Sequence, residues 1–209
     1  MKIFCTEYPL LSGGELNRMP KIGKVFLRSD SSINNSGKIL TLPHWSRGVS
    51  ALPLLVVRIG KAGRYFEPEH AEKYFSEVAL GVGCADVERF REALRAGDDP
   101  SLSYNFDGSL FLSPFYKAED FPSSVPFVTL RGGQREAGTL STEPDRELIG
   151  KTLSVLSQHY LMKTGDLVTF PIAGRYEEVT EDFRRLYEGP REELLLDLGV
   201  RLFSGNFTT

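Results

Sequence analysis

Apolar positions along the chain follow two periods. Short, closely spaced apolar runs such as Leu52-Pro53-Leu54-Leu55-Val56-Val57-Arg58-Ile59, closed by Gly60-Lys61, read as buried strands. Further strands are expected at Met1–Cys5, at Val78–Val82, after Gly165-Asp166, and from Leu194 to Phe203, where alternation is partial. Helical spacing interrupts this strand-rich pattern. Pro68 to Val78 puts a proline in a favourable first turn and Ala71, Tyr74, Phe75 and Val78 on one face. Asp86 suits an N-cap for a helix carrying Val87, Phe90 and Leu94 along one side, and Gly97 ends it. Glu147 to Leu161 spaces Leu148, Thr152, Val155, Leu156 and Tyr160 for one buried face. A shorter amphipathic stretch runs from Glu181 to Tyr187 before Gly189-Pro190, and Ser31 to Lys38 has the composition of a surface turn or hairpin loop.

The pattern predicts an α+β fold, mostly β, organised as one domain over residues 1–209, with no internal repeat or linker. A hydrophobic content of 41% is enough for a substantial core. The formal charge of -3 comes without a basic tract, which argues against nucleic acid and anionic lipid as partners. Two cysteines, Cys5 and Cys84, are too few for a disulfide framework and lack zinc-site spacing; both fall in expected strands, where a buried thiol is usual. No apolar run approaches the ~18 residues of a membrane span, and no secretory leader pattern opens the chain, so a cytoplasmic location is expected.

The run at Leu52 has a second property. Its frame resembles the E-x-E-L strand of the fumarylacetoacetate hydrolase family, which ends in I-G-K and whose two carboxylates hold a divalent cation; here those positions are Leu52 and Leu54. Continuing without a gap, Pro68–Phe75 is similar to the family's short helix and Val78–Val82 to the next strand. The family's third ligand, an aspartate, then falls on Gly83. A three-residue shift would bring Asp86 there instead, but the spacing from Arg58 through Gly81 gives no reason for one. Ser103-Tyr104-Asn105-Phe106-Asp107-Gly108-Ser109 resembles the K-G-F-D-G-S turn, with Tyr104 in place of the lysine. Arg131–Thr139 is similar to N-G-x-x-x-Q-x-G-N-T, with Glu136 in place of the glutamine, and Met162–Val168 matches L-K-x-G-D-L-I. The histidine-bearing segment near the family's N-terminus has become Thr6-Glu7-Tyr8-Pro9, and no histidine occurs before His44. Arg28 is similar in place to the lysine of an F-L-K-P motif.

The resemblance implies a rolled mixed sheet with a few short helices, usually assembled as a homodimer. It also implies Mg²⁺- or Mn²⁺-dependent hydrolysis, decarboxylation or isomerisation of acylpyruvate-type 2-oxo acids, in which the cation stabilises an enolate. Leucine offers such hard ions no oxygen ligand, so no cofactor is expected here. Family position puts Leu52, Leu54, Gly83, Tyr104 and Asp107 around the substrate pocket, although Asp107-Gly108 also has an ordinary turn-forming role.

The first expectation is a degenerate member with a binding or regulatory role, taking a small carboxylate ligand or pairing with an active paralogue. The alternative is a hydrolase or isomerase with altered, metal-free chemistry drawn from Arg28, Asp86, Tyr104 and Glu136. Arg58 is a weaker carboxylate-binding candidate than Arg28. A third option, an ion held by Glu67, Glu69 and Glu72, competes with a simpler role for these residues as the solvated face of a helix. His44, His70 and His159 lack ligand spacing, Ser109 and Ser113 lack a nucleophile elbow, and Gly132-Gly133 lacks a dinucleotide fingerprint.

Overall fold

The apolar run around Leu52 forms strand β3, Ser50–Ile59, which pairs antiparallel along its length with β4, Phe75–Ala85. The structure is a computed structural model describing residues 1–7, 25–34, 43–46, 50–131, 134–143, 145–172 and 193–196. Around this pair gather β1 (Ile3–Cys5), β2 (Phe26–Arg28), β5 (Leu110–Leu112), β6 (Tyr116–Lys117) and β9 (Leu167–Pro171). Together they make a seven-stranded sheet in the order β2-β1-β9-β3-β4-β5, with β6 on β4. Most neighbours are antiparallel, but β1 and β9 run parallel, so the sheet is mixed.

Both faces of the sheet are buried, which is why its central strands read as continuous apolar runs rather than alternating ones. Leu55, Val57 and Ile59 of β3 join Val78, Leu80, Val82 and Cys84 of β4 in one core. Leu52, Leu54 and Val56 point the other way, with Ile3, Cys5, Phe26 and Ala79. Helix α2, Arg146–His159, covers the first face through Ile149, Leu153 and Leu156. Helix α1, Val87–Ala96, covers the second through Phe90, beside Tyr104. The expected caps are in place: Asp86 accepts from the Arg89 N–H, and Gly97 closes α1 at φ 77°, a backbone angle that suits glycine. Asp145 caps α2 in the same way.

One helix departs from expectation. Pro68–Lys73 is a short 3-10 helix, but Phe75 and Val78 belong to β4, opposite Ile59 and Val57. Ala71, Phe75 and Val78 are all buried, as a helical face would have them. The difference is that the β3 ladder satisfies the backbone from Phe75 onward, and that long-range pairing overrides local helical spacing.

The stretch expected as a surface loop at Ser31 begins with a 3-10 turn, Asp30–Ser32, in which Ser32 is fully buried, and Ile33 bridges to Leu110. Positions 35–38 lie outside the described residues. Strands β7 (Ser124–Arg131), β8 (Gln134–Ser141) and β10 (Glu193–Leu196) form a separate three-stranded sheet in the order β10-β7-β8. Strand β10 coincides with the start of the run expected from Leu194; the rest of that run and the stretch from Glu181 to Tyr187 lie outside the described residues. Among the described residues no helix is long and apolar enough to cross a membrane.

Candidate functional site

Period-two alternation gathers the site on one face of the large sheet. Ile3 and Cys5 of β1 face the second core, and the same parity carries Glu7, two residues on, inward. On β2 the inward residues are Phe26 and Arg28, on β9 Leu167 and Thr169, and on β3 Leu52 and Leu54. Gly81 and Gly83 of β4 lie opposite Leu54 and Leu52. A Cβ on Gly83 would approach Leu54 Cδ1 to 2.9 Å, Arg28 Nη2 to 3.4 Å and Glu7 Oε1 to 3.8 Å. Leu54 therefore fills the space into which a side chain at 83 would project.

Arg28, 3% exposed, and Glu7, 1% exposed, form a buried ion pair, with Nη2 3.7 Å from Oε1. Arg28 Nη1 donates to Ser109 Oγ at 2.8 Å, to the Cys84 carbonyl at 3.3 Å and to the Tyr104 carbonyl. Ser109 Oγ in turn donates to the Tyr104 carbonyl at 2.8 Å. Glu7 Oε2 accepts from Thr169 Oγ1 at 2.7 Å, while neither Glu7 Oε1 nor Arg28 Nε has a hydrogen-bond partner among the described residues. The Tyr104 ring lies 4.0 Å from Phe26 and 5.9 Å from Phe90, centroid to centroid, with the Arg28 guanidinium 5.6 Å away. Burial pushes its phenol up to about 12, so it is neutral at physiological pH.

The side chains at the three positions that the resemblance gives to metal ligands supply no oxygen. Leu52 and Leu54 are hydrocarbon, Gly83 has no side chain, and the nearest charge to Gly83 is a guanidinium. No cluster of three or more histidine, cysteine or acidic residues suited to a metal occurs among the described residues.

The fumarylacetoacetate (FAA) hydrolase C-terminal family profile matches residues 11–170, more than half of the chain. The chain belongs to the fumarylacetoacetate hydrolase family. No curated protein sequence matches it. Among solved structures it is similar to a protein assigned as a fumarylpyruvate hydrolase from Burkholderia cenocepacia, at 19% identity and TM-score 0.69, covering 100% of this chain and 86% of that one. Fumarylpyruvate hydrolase from Pseudomonas aeruginosa, solved with Mn²⁺ and pyruvate, gives 18% identity and TM-score 0.66, covering 100% of this chain and 90% of that one. A protein from Yersinia pestis CO92 assigned to the same family gives 16% identity and TM-score 0.70, covering 99% of this chain and 93% of that one. These likenesses establish the rolled mixed-sheet fold of the family.

Within that frame the structure brings together Arg28, Leu52, Leu54, Gly83 and Tyr104. Asp86, 4% exposed, is committed elsewhere: Oδ1 caps α1 and Oδ2 accepts from Ser46 Oγ at 3.0 Å. Glu136 lies on β8, opposite Thr129 in the smaller sheet. Asp107 is exposed in the turn whose Gly108 has φ 73°. Arg58 sits at the end of β3, half-buried, donating to Glu77 and stacked 4.2 Å from the Phe115 centroid. His44, His70 and His159 are exposed.

Sequence reasoning missed Glu7. The available signal was parity: Glu7 follows Ile3 and Cys5 at the same two-residue spacing, just beyond the end of β1, so a carboxylate there continues an inward row. An open cleft of about 360 Å³ lined by Phe121, Glu143 and Arg146 among others shares no residue with the Arg28 cluster, and its Arg146 pairs with Glu72 at 2.8 Å.

Proposed function

We propose that this chain is a fumarylacetoacetate hydrolase family member in which metal-dependent chemistry on acylpyruvate-type 2-oxo acids has been lost and a binding or regulatory role remains. The observation that carries this reading is the packing of Leu54, fully buried with its Cδ1 against Gly83 where an inward carboxylate would stand. The family chemistry needs a cation to chelate the 2-oxo acid and stabilise the enolate. Without side-chain oxygen at 52, 54 and 83, both contributions go together. The Pseudomonas aeruginosa relative holds pyruvate, so a small carboxylate is the natural ligand class to screen. The protein would act as a homodimer or beside an active paralogue.

The rival reading, a metal-free hydrolase or isomerase, draws on the proximity of Arg28 and Tyr104. It is the weaker one. Both Asp86 oxygens are already hydrogen-bonded, and a phenol near 12 exchanges protons poorly at neutral pH.

Calorimetric titration of the chelator-treated protein with Mn²⁺ and Mg²⁺ tests the proposal. No saturable heat down to high-micromolar affinity is expected, and no turnover of acylpyruvates. One-site binding would overturn the reading and restore metal-dependent cleavage as the leading function.

A further inference from the structure

We infer that Arg28 is a built-in cation at the centre that the family resemblance gives to a metal, with Glu7 as its counter-ion, so that the chain carries internally the charge that would otherwise come with a metal. This rests on the reading that the metal has been lost.

Place is the first support. Arg28 Nη2 and Glu7 Oε1 lie 3.4 and 3.8 Å from the Cβ position of Gly83, within the reach of the ligand that residue 83 lacks. Connectivity is the second. A hard cation gathers oxygens from separate segments, and Arg28 does the same from β2, binding the Cys84 carbonyl beyond Gly83, the Tyr104 carbonyl and the Ser109 hydroxyl. Charge is the third. Both partners are at least 97% buried, so each depends on the other for compensation. At 3.7 Å the pair is held by electrostatics rather than by a hydrogen bond. A divalent ion entering here would meet a guanidinium first.

The test is a double-mutant cycle on the full chain: wild type, Arg28→Met, Glu7→Gln and both together, unfolded in urea. Each single variant strands a buried polar or charged partner and is expected to lower the folding equilibrium constant by about a hundredfold or more. The double variant should recover at least about tenfold over the less stable single, because the orphaned charge is gone. Arg58→Met, at the half-exposed Glu77 pair, serves as the control and should change the constant far less. If neither single folds, a cooperatively folded double variant supports the assignment and an unfolded one overturns it. Losses that simply multiply, or an Arg28→Met variant close to the control, also overturn it. Mn²⁺ binding by the wild type would instead sink the proposed loss of the metal, and the two failures are told apart by which titration reports them.

Discussion

At the residue scale, positions 54 and 83 depend on each other. Leucine at 54 occupies the volume a side chain at 83 would need, and glycine at 83 permits leucine at 54. Gly83→Ala is therefore expected to destabilise the fold by about 1–3 kcal/mol, since its Cβ would press on a packed Leu54 and crowd Arg28. Urea denaturation measures this, and an unchanged midpoint would show that Leu54 has room to move. The leucines were legible from the sequence because hydrocarbon cannot ligate a hard ion in any conformation. Glu7 was not legible, because a lone glutamate beyond a three-residue strand reads as solvated until the neighbouring strands are placed around it.

At the scale of elements, α1 explains why Asp86 is unavailable. Its carboxylate caps the helix and accepts from Ser46, a structural task that engages both oxygens. Asp86→Ala should cost about 1 kcal/mol, within the usual range for a lost N-cap, while Asp86→Asn should retain most of the stability. Ligand affinity, where a carboxylate binder is found, should be unmoved by Asp86→Asn; a large loss would return Asp86 to the site. The caps of α1 were readable from local signals alone. The Pro68 segment was not, because β4 takes over at Phe75 through hydrogen bonds to β3 that no local pattern specifies.

At the scale of the whole molecule, the large sheet is covered on both faces, and its thiols report on how firmly. Burial pushes the Cys84 thiol up to about 12 and the Cys5 thiol higher still. Both thiols should react with a disulfide reagent at pH 8 only as fast as the protein opens, and rapidly once it is unfolded in denaturant. Fast labelling of the native protein would mean that the sheet opens locally at β1 or β4, the strands that carry the two thiols. By itself, the sequence determined the chemistry that is possible at each position: the lack of side-chain oxygen ligands at 52, 54 and 83, the caps of α1, the apolar strands and the family to which they belong. These follow from side-chain identity and local spacing. Only the tertiary structure decided which charges meet, because Glu7, Arg28, Ser109 and Thr169 come from segments far apart in the chain and are brought together by strand order and by the parity of each strand.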